Sequence, residues 1–353
     1  MAKTYKEIFM WKTDHQHDTG SGGPPLESRD LLTALRAAAE PTRLRILALC
    51  VKGELTVSEL VRILGQSQPR VSRHLRLLVD AGLLERFPDG SWVFYRLPYN
   101  GPKAAFVRGL LDGLCADDPM LARDFEERSA IERERAAAAN RYFQRNAGRW
   151  GQLRSLHIDE REVERRMGDM LPAGQLGELL DIGTGTARIL EVLAPRVTRG
   201  EGIDISREML AVARANLDRA GLDHCGVRHA DMYDLPFLNA SFDTVTIHQV
   251  LHFAEEPARA LAESARVLRP GGCVLVVDFA PHVLEDLRRE HAHRRLGFSD
   301  DEVSAWFKSA DLAVHEIDHL PGKRLTVAIW CATKPSVERA ALPASSEAAG
   351  MSQ

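Results

Sequence analysis

Residues 179–190 read LLDIGTGTARIL: an apolar run ending in an acid, two glycines one residue apart, and a second apolar run able to open a helix. Glycines at that spacing let the backbone turn tightly and bring the free N–H groups of a helix N-terminus against a ligand. The stretch commits this part of the chain to a strand, a ligand-holding turn and a helix. It is the first of a series: GELLDIG, GEGIDIS, GVRHA, FDTVTIH and CVLVVDFA alternate with helical segments from about Gly177 onward, the order of an α/β fold. LAVHEIDHL and LTVAIWCA, joined by PGKR, close the series as an antiparallel hairpin.

A dinucleotide fingerprint, GxGxxG, needs Gly or Ala at its sixth position for close helix-to-strand packing, and Arg188 stands there instead. That counts against NAD. Roughly twenty residues further on, the second strand ends in Asp204, placed to accept hydrogen bonds from two ribose hydroxyls. The third ends in Ala230-Asp231-Met232, where a carboxylate can meet an exocyclic amine and a thioether can pack on a ring. Three strand ends thus present one nucleoside-binding constellation.

The segment GQSQPRVSRHLRLLVDAGLLERFPDGSWVFYRL, residues 65–97, is of a different kind. Pro69 suits the first turn of a helix with Ser67 or Gln68 as its cap, and Gly82 would stop it. Val71, Leu75 and Leu78 make one apolar face, which leaves Gln68, Ser72, Arg73 and Arg76 on another. TVSELVRILG supplies a short helix just upstream, beginning after Thr56, and LLERF and WVFYRL flank a Pro88-Asp89-Gly90-Ser91 turn. Helix, turn, helix and hairpin make a winged helix. Residues 31–97 carry ten Arg and Lys against six Asp and Glu, although the whole chain stands at −4, so the basic residues sit where phosphates would be met.

At 353 residues the chain is expected to hold two domains with connections. Residues 1–28 and 336–353 read as polar tails, and 117–150, Ala-rich and charged, as a long exposed helix joining a 29–116 domain to a 151–335 domain. The five cysteines, Cys50, Cys115, Cys225, Cys273 and Cys331, are scattered singly, which fits a reducing compartment. With neither a signal-peptide layout nor an apolar run long enough to span a bilayer, the expectation is a cytoplasmic protein with no membrane partner.

Residues from about Leu31 to Cys115 resemble the ArsR/SmtB family of dimeric winged-helix regulators, in PTRLRILALC, in the S-x-x-L-x-x-L-x-x-A-G-L cadence of Ser72–Leu83 and in the DGSWVFYRL wing. The resemblance implies a double-stranded DNA operator as partner and a homodimer formed by residues 31–39 and 102–115. Gln68, Ser72 and Arg73 would meet base edges, with Arg70, Arg76, Arg86 and Arg96 on phosphates. Many members sense metals through a cysteine pair before the recognition helix; ELTVSEL has none, so no metal site is expected there. A winged helix used only for dimerisation or protein binding remains the alternative.

From about Arg141 to Lys334, the order DxGxG, an acid, AD(M), FDTVTIHQVLHF and RVLRPGG resembles the class I S-adenosylmethionine-dependent methyltransferases. The fold implied is an α+β winged helix-turn-helix domain followed by an α/β Rossmann-like domain whose seven-stranded sheet ends in an antiparallel hairpin. Its cofactor would be S-adenosylmethionine or S-adenosylhomocysteine. Asp181, Gly183, Thr184 and Gly185 would cradle the methionine part, Asp204 the ribose, and Ile205, Met209, Asp231 and Met232 the adenine, while His248 begins the substrate-facing motif. Ala187 replaces the family's third glycine. Tyr142 and Trp150 stand where a helix would close over the cofactor, or would simply pack the connecting helix on the sheet.

Methyl transfer from a sulfonium is an in-line displacement that needs alignment and, for some acceptors, a base. His248 and His252, after the fourth strand, and His291 and His293, after the fifth, are the candidates, each more readily read as an ordinary polar or packing residue. A metal at His291 and His293 has only an unspecific spacing behind it. The separated cysteines argue against arsenite methylation. Three functions follow: a DNA-binding regulator whose methyltransferase-like domain senses a nucleoside, with residues 102–150 as the coupling path; a small-molecule methyltransferase with an autoregulatory winged helix and an acceptor pocket at His248, His252 and 282–298; and a disfavoured metal-responsive repressor.

Overall fold

The computed structural model describes residues 26–89, 91–98, 101–115, 118–146 and 159–336. Its amino half opens with α1 (Ser28–Ala38) and α2 (Pro41–Cys50), the second started by Pro41 and by the Glu40 carboxylate, which accepts from the Arg43 N–H at 2.9 Å. A two-residue strand, β1 (Leu55–Thr56), leads into α3 (Val57–Leu64), which is held by a capping box between Thr56 and Glu59 and ends at Gly65, φ +63°. Then comes α4 (Gln68–Asp80), whose Val71, Leu75 and Leu78 are fully buried; Gly82, φ +69°, follows its end. The predicted hairpin is β2 (Glu85–Asp89) and β3 (Trp92–Arg96), with β3 also pairing with β1, a strand too short to leave a period in the sequence.

Next, α5 (Pro102–Asp112) precedes the connecting helix, α6 (Pro119–Asn146). Its composition predicts a helix exposed along its length, but the first half is buried on one side. Leu121, Phe125 and Ile131 join the amino-half core. Asp124, 1 % exposed, takes both arms of Arg45 at 2.6 Å, and the buried Arg128 donates to the carbonyls of Leu49, in the last turn of α2, and of Lys52, just past it. Alanines and charges hid an apolar stripe only three residues long.

The carboxyl half contains α7 (Glu160–Met170), β4 (Gly177–Ile182), α8 (Arg188–Leu193), β5 (Val197–Asp204), α9 (Arg207–Ala220), β6 (Cys225–His229) and β7 (Phe242–His248). These are followed by α10 (Pro257–Val267), β8 (Leu268–Phe279), α11 (Asp286–His291), α12 (Asp300–Ser309), β9 (Ala313–Pro321) and β10 (Thr326–Thr333). The sheet order is β6-β5-β4-β7-β8-β10-β9, parallel from β6 to β8, with β10 antiparallel to both neighbours. This is the seven-stranded sheet with a terminal hairpin that the sequence implied. Alternation along the strands feeds one core through Leu180, Ile182, Val245 and Ile247 and the other through Leu179, Leu275 and Val277. The strand order reverses between β4 and β7, and at such a switch point the carboxyl ends of parallel strands open a crevice for a ligand.

Candidate functional site

Register places the predicted nucleoside residues along that carboxyl edge. Asp181 pairs across with Gly202, Asp204 with His229, and His248 with Val277, so the ends of β4, β5, β6 and β7 are level. Asp181 is 1 % exposed and accepts from the Thr246 hydroxyl at 2.7 Å. The loop after β4 is built on glycines with a defined need. Gly183 has φ +69°, and a Cβ there would lie 2.3 Å from a Val250 methyl, so this glycine lets the β4 and β7 turns touch. Gly185, φ +54°, donates its N–H to Asp204 at 2.9 Å, which ties the loop to the acid of the next strand.

Asp204 also accepts from the Ser206 N–H at 2.8 Å. Burial pushes its carboxyl above the ordinary range, against the pull of the Ser206 and Gly185 amides. Ile205 beside it is 48 % exposed, a large apolar side chain left open next to a carboxylate, and Asp231 is exposed with Met232 half-buried at the neighbouring strand end. Those features fit a ribose and an aromatic base. Met209 is buried in α9 with its N–H on the Ser206 hydroxyl, behind the loop rather than open beside Ile205. The buried Thr184 hydroxyl has no protein partner among the described residues. Arg188 turns away to the α7 carboxylate of Glu164, meeting both its oxygens at 2.7 Å. Trp150 and the side chain of Tyr142 lie outside the described residues.

On the β7–β8 side, His248 is buried at the strand end. His252 is 3 % exposed: its Nδ1 lies 2.8 Å from the fully buried Asp278, its ring stacks on His293 with centroids 4.0 Å apart, and Phe253 and Phe279 close around it. Such a ring holds a wall together. Burial pushes the nearby His282 down to about 4, with His252 adding to the effect, which keeps it neutral. Asp278, invisible in the sequence as anything but the end of VLVVDFA, is the residue that fixes this cluster. His291 is half-buried at the end of α11. No group of three His, Cys, Asp or Glu able to hold a metal occurs among the described residues.

The second candidate surface is α4. Gln68, Arg70, Arg73 and Arg76 are exposed and Ser72 is half-buried, while the opposite face is sealed in the core; Arg86 is exposed on β2. One expectation needs correction. Arg96, read as a phosphate contact, is turned inward with a side chain 13 % exposed, and meets Glu54 at 3.1 Å, Glu85 at 2.9 Å and Glu302 at 2.6 Å. Glu54 is itself 5 % exposed and needs a cation, which β3 supplies. Glu302 belongs to the other half of the chain, so the wing is joined to the carboxyl domain.

Comparison with known proteins agrees with the two halves. Residues 40–86 match the bacterial regulatory protein, arsR family, and residues 180–276 match a methyltransferase domain. Demethylmenaquinone methyltransferase of Clavibacter sepedonicus is 39 % identical over 111 residues, 31 % of this chain and 44 % of that protein. Phosphatidylethanolamine N-methyltransferase of Cereibacter sphaeroides is 39 % identical over 103 residues, 29 % of this chain and 50 % of its own length. The chain thus spans about half the length of these curated relatives. The solved structure of YcgJ from Bacillus subtilis aligns with a TM-score of 0.45 at 19 % identity, covering 50 % of this chain and all of that one. The chain joins a helix-turn-helix of the bacterial arsR family to a methyltransferase domain of the class I fold.

Proposed function

We propose that the protein is a DNA-binding transcriptional regulator whose methyltransferase domain binds S-adenosylmethionine or S-adenosylhomocysteine and alters DNA affinity according to that ligand. The observation that carries this reading is one chain holding both an exposed Arg-rich helix face on α4 and a glycine loop tied to Asp204, with the wing between them fixed to the carboxyl domain through Arg96 and Glu302. An operator would be read by Gln68, Ser72 and Arg73 and gripped by Arg70, Arg76 and Arg86. A homodimer would place two such helices on successive half-sites, and α1 offers Leu31, Leu32 and Leu35, all exposed, for its interface.

Asp204 would hold the ribose, Ile205 and Met232 the base, and the Gly183–Gly185 loop the amino-acid part. S-adenosylmethionine supplies a sulfonium methyl open to in-line displacement. The chain's own share would be to bind, to orient and to exclude water from that edge. A second reading, an active small-molecule methyltransferase with an autoregulatory winged helix, draws on the enzymes named among the relatives. The enclosed His252 takes one candidate base away from it, for those acceptors that need one.

The deciding experiment is fluorescence anisotropy of the full chain on its own upstream DNA at fixed salt, titrated with each nucleoside. A shift of about tenfold by one of them, roughly 1.4 kcal/mol of coupling, is expected. Tight DNA binding indifferent to both, together with methyl transfer to a component of a metabolite extract, would replace the regulator with the enzyme.

A further inference from the structure

The tip of a β-hairpin is where a polar turn residue normally meets water, and Asp89 stands at such a tip. It is 8 % exposed. Its carboxylate receives Arg288 at 2.6 Å on one oxygen and Arg295 at 2.6 Å on the other, and the Leu296 N–H at 3.0 and 3.2 Å on both. Arg288 also holds the Asp89 carbonyl at 2.9 Å and lies 4.5 Å over the Trp92 ring, while the Ser91 N–H donates to Glu285 at 2.6 Å. Every one of these partners belongs to the carboxyl domain.

Arg295 is 3 % exposed and spreads over three acids, adding Glu54 at 2.9 Å and Glu302 at 2.9 Å to Asp89. Arg294 donates to the Glu54 carbonyl at 2.9 Å. A buried cluster of this kind is made or broken as a unit, because one member left behind is an uncompensated charge in a dry place. Such a cluster would hold the wing docked or let it go as a whole, with little between.

The same short segment reaches the ligand edge from its other side. The N–H groups of Arg294 and Arg295 both donate to the His252 carbonyl, at 2.9 and 3.1 Å, and His293 stacks on the His252 ring, which Asp278 fixes at the end of β8. From the β7–β8 wall to the wing is thus three consecutive residues, His293 to Arg295. The helix of the 102–150 segment crosses at Arg135, which meets Glu59 and Glu255 at 2.7 Å each, the same two carboxylates that Arg294 faces at 3.9 and 3.2 Å. S-adenosylmethionine and S-adenosylhomocysteine differ only at sulfur, by a methyl and a charge. A protein that distinguishes them needs a responsive wall on the acceptor side, and a ligand shifts an equilibrium only through such differential contacts.

We propose that the segment His282–Phe298 is the coupling element, with Asp89 latched between Arg288 and Arg295 as the joint through which the state of the methyltransferase edge reaches the DNA-reading wing. This rests on the regulator reading for its biological use but not for its test. Hydrogen–deuterium exchange on the full chain, with and without S-adenosylhomocysteine, reads both ends directly. In the wild type, peptides covering 282–298 and 85–96 change together. In Asp89→Asn the first still responds and the second falls silent, with nucleoside affinity within about twofold of wild type. In parallel, the ligand-dependent shift in DNA affinity drops from about tenfold to under about twofold. Arg288→Lys, which keeps the charge but loses the fork, repeats the test should the first variant fold poorly.

The latch is wrong if 85–96 stays silent in the wild type while 282–298 responds, or if Asp89→Asn and Arg288→Lys both transmit as the wild type does. A wing that responds to the nucleoside without any change in DNA affinity would leave the latch standing and remove the regulator. A DNA shift with a silent wing would do the reverse.

Discussion

Ala187 occupies a backbone conformation that side chains avoid. Its φ is +66° at the start of α8, and it is fully buried. A left-handed alanine costs roughly 1–2 kcal/mol relative to the right-handed form, and glycine removes that penalty while adding freedom to the unfolded chain. Ala187→Gly is therefore expected to unfold at an equal or slightly higher urea concentration, within about 1 kcal/mol. A clear loss would mean that its methyl, packed in the core with Ile189 and Leu190, matters more than the strain. Asp204 makes the matching functional prediction. Its ionised form is the stronger acceptor for two ribose hydroxyls, and burial raises its pKa, so nucleoside affinity should fall with acidification sooner than for an ordinary aspartate. Calorimetric titration across pH checks this. Asp204→Asn should weaken binding by roughly 1.5–3 kcal/mol and flatten the pH profile.

At the scale of the element, α4 separates two kinds of contact. Arg73→Ala should cost roughly 1–3 kcal/mol on the operator and relax its sequence preference, whereas Arg76→Ala should weaken all sequences alike and lower the salt slope by about 1. Nucleoside affinity should not change in either, since both arginines stand exposed on the amino half. How much of this was legible depends on what each element had to say locally. The recognition helix announced itself because Val71, Leu75 and Leu78 keep a helical period and Gly82 stops it, and the strand ends at Asp181 and Asp204 because acids interrupt apolar runs. The first half of α6 did not, since its buried members include Asp124 and Arg128, whose burial makes sense only beside Arg45 and the end of α2. Arg96 misled for the same reason: a basic residue on a wing reads as a phosphate contact until Glu54 and Glu302, far away in sequence, are seen to claim it.

At the scale of the whole molecule, the two cores meet through charge. Arg295 with Asp89, Glu54 and Glu302, and Arg135 with Glu59 and Glu255, join surfaces that neither half's apolar pattern could foretell. The seam has a thermodynamic consequence that needs no DNA. A ligand at a hundred times its Kd stabilises what it binds by about 2.7 kcal/mol, and structure with no share in the site gains nothing unless it unfolds with the site. Under the proposed assignment the nucleoside contacts lie at the β4–β7 edge alone, so any thermal protection of the amino half must cross the seam. In differential scanning calorimetry, S-adenosylhomocysteine should raise the unfolding of both halves in the wild type. Arg295→Met removes the central cation and leaves the buried Glu54 and Asp89 and the half-buried Glu302 without it, a loss of roughly 3–5 kcal/mol across the seam. In that variant the ligand should shift only the carboxyl half, and the amino half should melt at the same temperature with or without it. If the amino half of the wild type is already indifferent to the ligand, the buried charges fasten the halves in place without making them one cooperative unit.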